Sequence, residues 1–127
     1  MVSVLQNVAI DCADAYELAR FWSEVTGSPS HPEDGPGATE TVVMLPTGPL
    51  LYFNQVPEPK RVKNRIHLCL RPETSREEEV DRLLGLGATL VADLRKPDGL
   101  GWAVLADPEG NEFCVLRGES DRVATSN

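Results

Sequence analysis

Residues 46–53, with the sequence PTGPLLYF, have a counterpart in residues 108–115, with the sequence PEGNEFCV. Each stretch combines a Pro-x-Gly turn signal with an apolar run that is typical of a β-strand. Residues 5–11 (LQNVAID) correspond in the same way to residues 65–71 (RIHLCLR). The first pair is offset by 62 positions and the second by 60. This near-constant offset predicts an internal duplication of one supersecondary unit.

The first copy carries clear helix signals between its strands. Asp14 and Glu17 have the spacing of a capping box, and Gly27 stands where a left-handed helix end is expected. The predicted elements are a strand at 3–12, a helix from Asp14 to Gly27, a short edge strand within the proline-rich segment 28–38, and strands at 39–45 and 50–55.

The second copy repeats this order. Its predicted elements are a strand at 65–71, a helix over about 75–84 opened by a Thr74/Glu77 or Ser75/Glu78 capping box with stops at Gly85 and Gly87, a strand at 89–92, a turn at 97–101, and strands at 102–106 and 112–117. Arg76 and the acidic residues 77–79 are predicted to form a solvated helix start. Asp107 is predicted to cap the turn at 108–111.

The pattern predicts an α+β fold of two tandem βαβββ repeats whose sheets form a cup-shaped mixed sheet. We expect a single domain over residues 1–117, made of repeats 3–55 and 65–117 with a linker at 56–64. Residues 118–127 are expected to form a solvated tail. Each helix covers one face of its strands, so the other faces are predicted to enclose a shared ligand cup.

The composition is that of an ordinary globular protein, with 127 residues, 41% of them hydrophobic and 25% charged. A net charge of −8 argues against a nucleic-acid partner. No apolar run approaches the roughly 20 residues that span a bilayer, so we expect no membrane partner and a cytoplasmic location. The three cysteines form no C-x-x-C pair and are expected to be reduced thiols.

Three segments carry a family resemblance: residues 18–27 (LARFWSEVTG), 63–68 (KNRIHL) and 102–113 (WAVLADPEGNEF). They resemble the vicinal oxygen chelate superfamily, specifically its small glyoxalase-like members related to bleomycin-resistance proteins. The resemblance spans nearly all of residues 3–117. It implies the glyoxalase/bleomycin resistance/dioxygenase fold and a homodimer.

In metal-dependent members of this family, four positions on the first and last strands of the repeats hold a divalent ion. The resemblance places Asn7, Tyr52, His67 and Cys114 at these positions. Only His67 is an expected ligand, because neutral amides and phenols bind divalent ions poorly. We therefore expect no metal and no other cofactor. If a divalent ion does bind, His67 and Glu112 are its predicted ligands, with Asp11 as a further oxygen donor.

Strand alternation predicts which side chains line the cup. The candidate ligand-binding residues are Asn7, Tyr52, Asn54, His67, Cys69, Trp102, Glu112 and Cys114. Among them, His67, Cys114 and Tyr52 are the candidate catalytic residues, His67 as a general base or donor. Structural alternatives stay open at this point: His67 as a hydrogen-bonded interior residue, Cys114 as a buried small hydrophobe, and Trp102 as a core residue rather than a stacking wall.

These observations predict a protein that binds a small organic molecule without the family's metal site, either as a metal-independent enzyme or as a sequestering, resistance-type binder. The alternative is a metal-dependent lyase, isomerase or dioxygenase that holds its ion with His67 and unconventional partners. A third class is a domain that recognises a metabolite and signals to a protein partner.

Overall fold

The computed structural model describes residues 1–121. The chain divides into two compact units, Met1–Arg61 and Val62–Asn127. Each unit packs one helix with one mixed sheet, which confirms the predicted α+β class. No helix in the described part of the chain has the length and apolar character needed to cross a membrane. The predicted common cup and single domain stay predictions.

The first unit contains β1 (Asn7–Cys12), α1 (Ala15–Thr26), β2 (Glu40–Val43) and β3 (Leu50–Gln55). Its sheet has the order β1-β3-β2, with β3 parallel to β1 and antiparallel to β2. The predicted strand within residues 28–38 is reduced to one isolated bridge between Ser30 and Val43. The βαβββ pattern is therefore incomplete in this unit, since the prolines of the segment lack the backbone donors that a longer strand requires.

Helix α1 has the predicted ends. The side chain of Asp14 accepts a hydrogen bond from the backbone N–H of Glu17, and Gly27 ends the helix in the left-handed region with φ 67°. The helical spacing of its apolar residues predicts a stripe along one face that faces the sheet, and Leu18 and Trp22 of this stripe are fully buried. Thr41 in β2 is also buried, and its hydroxyl donates to the carbonyl of Ala15 at 2.7 Å. These contacts hold the helix on one face of the sheet.

The second unit contains β4 (Leu68–Leu70), α2 (Arg76–Leu86), β5 (Thr89–Asp93), β6 (Ala103–Ala106) and β7 (Glu112–Val115). The sheet order is β4-β7-β6-β5, and β4 is parallel to β7 while the other pairs are antiparallel. This unit has the complete βαβββ pattern. Its first strand is shorter than the predicted 65–71, and His67 precedes it directly.

Helix α2 differs from the predicted helix at its end and in the burial of its first residue. Ser75 caps the helix by accepting from the N–H of Glu78, but Gly85 lies inside the helix and only Gly87 ends it. Arg76 is not solvated, because its exposed fraction is 6%. Its guanidinium donates to the carbonyls of Gly101 at 2.7 Å, Gly99 at 3.3 Å and Leu100 at 3.4 Å. Arg76 thereby joins the helix start to the turn that precedes β6.

The predicted linker and the start of the predicted tail form hydrogen bonds with residues of the second unit. Asn64, within the predicted linker, belongs to the second unit and donates to the side chain of Asn111 at 2.8 Å. The predicted solvated tail begins with packed residues, which corrects that expectation. Gly118 is buried, and Asp121 accepts from the backbone N–H groups of Gly118 at 2.8 Å and Arg76 at 2.7 Å. Residues 122–127 of the predicted tail lie outside the described residues.

Candidate functional site

The second unit contains a pocket of about 360 Å³, a volume in the range of small-molecule sites. We call it the second-unit pocket. It is lined by Lys63, His67, Cys69, Leu94, Trp102, Val104, Glu112, Cys114 and Leu116. Five of the eight predicted ligand-binding residues are therefore brought together, namely His67, Cys69, Trp102, Glu112 and Cys114.

The pairing of three adjacent strands builds the floor of this pocket. Cys69 in β4 is the register partner of Cys114 in β7, and Cys114 is the partner of Val104 in β6. Register partners in neighbouring strands project from the same face of a sheet. The two thiols thus lie side by side on the pocket face, while Phe113 and Val115 are buried on the opposite face.

His67 contacts both thiols. Its Nδ1 atom lies 3.8 Å from the Sγ atom of Cys69 and 3.7 Å from the Sγ atom of Cys114. One ligating atom from each of the three residues lies within 4.8 Å of the others. His67 and Cys69 are exposed and Cys114 is buried. Strand alternation predicts that His67 and Cys69 share one strand face, but it does not predict that Cys69 pairs with Cys114.

Burial raises the pKa of the Cys114 thiol above its ordinary value, and the neighbouring Cys69 and the charge of Glu112 act in the same direction. Lys63 opposes them weakly. A raised pKa keeps the sulfur protonated at neutral pH, whereas nucleophilic cysteines need a depressed one. The electrostatics therefore do not support the predicted catalytic role of Cys114 in the free protein.

Trp102 forms an exposed wall of the second-unit pocket, with 43% of its surface accessible. Its backbone is fixed by reciprocal hydrogen bonds with Leu94, of 2.9 and 3.3 Å. This exposure disagrees with the alternative in which Trp102 fills the core. Trp22, in contrast, is buried at 1% exposure, as its place on the helix stripe predicts.

Three predicted site residues, Asn7, Tyr52 and Asn54, belong to the first unit. All three are half-buried in β1 and β3. The Tyr52 hydroxyl donates to a carboxylate oxygen of Glu40 at 2.7 Å, and this hydrogen bond is the main reason that the pKa of Tyr52 is raised. The observed partner of Tyr52 is thus a neighbouring strand residue, and its ligand-binding and catalytic roles stay predictions.

The side chains that the resemblance assigns to metal binding are individually poor ligands for an ion that prefers oxygen donors. Asn7 supplies a neutral amide and Tyr52 a protonated phenol, which leaves the imidazole of His67 and the thiol of Cys114. Hard ions such as manganese(II) prefer carboxylates, carbonyls and water. Among the described residues, Cys69 and Cys114 form a potential metal-ligating group with His67, and the ligand role of Glu112 stays a prediction.

Comparisons with known proteins agree with this fold. A sequence profile of the glyoxalase-like domain matches residues 7–116. The fosfomycin resistance protein FosX from Mesorhizobium loti superposes with a TM-score of 0.69 at 14% identity, covering 98% of this chain and 99% of that one. A glyoxalase-related enzyme from Fulvimarina pelagi gives a TM-score of 0.66 at 19% identity, covering 91% and 88%. No curated protein matches the chain.

A third similar structure is a FosX variant from Listeria monocytogenes, complexed with manganese(II) and a dihydroxypropylphosphonic acid. It has a TM-score of 0.68 at 14% identity, and both chains are covered completely. The fold is therefore that of the glyoxalase, bleomycin resistance and dioxygenase proteins. The chain belongs to the glyoxalase-like domain family of the vicinal oxygen chelate superfamily.

Proposed function

We propose that this protein binds a small, planar organic molecule in the second-unit pocket, without the metal site of the family's metal-dependent members. The observation that carries the proposal is the exposed indole of Trp102 above a pocket floor of mixed polarity. Such an indole provides a flat apolar surface on which an aromatic or conjugated ligand stacks, with a gain of about 0.5–1.5 kcal/mol beyond area burial.

The remaining walls support a ligand with one apolar edge and one polar edge. Leu94, Val104 and Leu116 supply apolar surface, while Lys63 and Glu112 supply opposite charges. A few polar groups in a largely apolar concavity are typical of small-molecule sites. Because the Cys114 thiol is held protonated, the pocket favours a binder over an enzyme with a cysteine nucleophile.

The similar structures suggest which compounds to test as ligands. FosX is described as a fosfomycin resistance protein, and its Listeria form holds a phosphonic acid together with manganese(II). Resistance by sequestration needs no metal ion and is compatible with a pocket whose lining residues supply a single carboxylate, that of Glu112. We therefore propose antibiotics and planar metabolites as the first compounds to test. The homodimer and the cytoplasmic location belong to the same proposal, and light scattering of the purified protein tests the first.

Trp102→Ala should weaken binding of pocket ligands by about tenfold, since it removes the stacking surface, an effect of about 1.4 kcal/mol. A panel of aromatic acids, phenols, bleomycin and fosfomycin is first screened with EDTA present for compounds that raise the melting temperature. Affinities for both proteins are then measured by calorimetry.

The matched control is Leu100→Ala. Leu100 is 51% exposed in the turn that precedes Trp102, but it does not line the second-unit pocket. We expect this variant to bind the same compounds as tightly as the unmodified protein. If every stabilising compound binds Trp102→Ala with unchanged affinity, the second-unit pocket is not the ligand site.

A further inference from the structure

We propose that His67, Cys69 and Cys114 form a three-residue binding site for a thiophilic divalent ion, zinc(II). This ligand set differs from the four positions that the resemblance assigns to a metal ion, since it includes Cys69 and neither Asn7 nor Tyr52. All three ligands come from the second unit. The inference goes beyond the proposed function and does not depend on it, because it concerns a metal ion bound in the absence of any organic ligand.

The distances in this cluster suit a shared tetrahedral ion. Zinc bonds of about 2.3 Å to sulfur and about 2.1 Å to nitrogen, meeting at a tetrahedral angle, place the sulfur and nitrogen atoms about 3.6 Å apart. The observed distances from His67 Nδ1 are 3.8 Å to Cys69 and 3.7 Å to Cys114. Both distances from His67 Nδ1 are therefore close to the spacing that zinc imposes, and the two sulfur atoms lie within 4.8 Å of each other.

The chemistry of the donors selects the ion. Two sulfurs and one imidazole favour zinc over manganese or magnesium, which prefer oxygen ligands. On binding, the Cys69 and Cys114 thiols each lose a proton to solvent, and His67 coordinates through an unprotonated Nδ1. Two thiolates balance the two positive charges of the ion, which suits a site in which Cys114 is buried.

The backbone fixes this arrangement. Cys69 and Cys114 are register partners in the parallel pair of β4 and β7, and His67 lies two residues before Cys69. The exposed side of the cluster opens into the second-unit pocket. With three protein ligands, the fourth tetrahedral position is left for water or for a donor atom of a pocket ligand, as in open zinc sites.

The test uses reduced, untagged full-length protein from which chelators have been removed. Cobalt(II), a spectroscopic substitute for zinc, should bind with one equivalent and produce a thiolate-to-cobalt charge-transfer band with intense visible bands of a tetrahedral ion. One equivalent of zinc(II) should abolish these bands and appear in native mass spectrometry. Manganese(II) should neither bind with this stoichiometry nor raise the melting temperature.

Cys69→Ser is the decisive variant, because Cys69 is exposed and its replacement should leave the fold intact, as circular dichroism will show. We expect at least a tenfold loss of zinc affinity and a weaker charge-transfer band. Cys12→Ala is the control, since Cys12 is a buried thiol of the first unit outside the proposed site, and the cobalt spectrum of this variant should be unchanged.

Three results would overturn the zinc site: no tetrahedral cobalt spectrum in the reduced protein, an identical spectrum and affinity in folded Cys69→Ser, or tighter binding of manganese(II) than of zinc(II). The ligand screen with EDTA is a separate experiment. A failed metal titration with a successful ligand screen rejects the zinc site alone, and the reverse outcome rejects the small-molecule proposal alone.

Discussion

Replacing Gly101 with alanine should lower the free energy of unfolding by about 3–5 kcal/mol, in the range reserved for the most damaging substitutions. Gly101 has φ +83°, and a Cβ atom added there would lie 2.0 Å from the carbonyl oxygen of Leu94. This oxygen belongs to the backbone and accepts from the N–H of Trp102. It can move only by disrupting the Leu94–Trp102 pair that fixes the exposed indole. Urea denaturation followed by circular dichroism measures the loss.

Gly48→Ala is the matched control for this substitution. Gly48 has nearly the same backbone conformation, φ +82°, but an added Cβ atom would meet nothing within 4 Å. Its replacement should cost only the left-handed penalty, about 1–2 kcal/mol. Equal losses in the two variants would show that the backbone conformation, and not the contact with Leu94, makes glycine necessary at position 101.

The features that the sequence predicted well are local. The caps at Asp14 and Ser75 and the helix ends at Gly27 and Gly87 depend on residues a few positions apart, so their signals survive in any tertiary context. The repeat offset likewise predicted both α+β units, and the resemblance of residues 18–27, 63–68 and 102–113 predicted the family. What the offset could not show is that proline would reduce one strand of the first unit to the Ser30 bridge.

Arg76 shows why local charge patterns mislead. It stands beside three glutamates at a helix start, a context that favours a solvated side chain. Its guanidinium instead binds carbonyls of Gly99, Leu100 and Gly101, more than twenty positions away in the chain. Such a contact depends on how α2 lies against the turn before β6, and no periodicity within the helix encodes that.

Predicting the candidate site from the sequence also requires knowledge of contacts between distant parts of the chain. Alternation within one strand placed Cys69 on the His67 face, and the repeat placed Cys114 on the last strand. Only the register of β4 with β7 brings the two thiols together with His67. A one-residue shift of that register would turn Cys114 to the helix-covered face. The turn that sets the start of β7 is therefore as important to the site as the ligands themselves.

Asp107→Ala should destabilise this turn and lower the free energy of unfolding by about 3 kcal/mol, because it leaves buried donors without their charged acceptor. Asp107 is 3% exposed. Its Oδ1 atom accepts from the backbone N–H of Glu109 at 2.9 Å and of Asn111 at 3.0 Å, and both carboxylate oxygens accept from the Asn111 side-chain amide. Urea denaturation provides the free energy, and cobalt binding reports whether the cluster is disturbed.

Two further substitutions distinguish the loss of the Asp107 hydrogen bonds from the loss of a carboxylate charge in general. Asp98→Ala removes a carboxylate that caps the exposed turn before β6 by accepting from the N–H of Leu100 at 3.0 Å. It should change stability by about 0.5 kcal/mol or less, as exposed substitutions do. Asp107→Asn keeps the shape and one acceptor, so it should lose less than Asp107→Ala. If Asp107→Ala is as stable as Asp98→Ala, the turn is held by Pro108 and Gly110 alone, and the register of β7 does not depend on the Asp107 carboxylate.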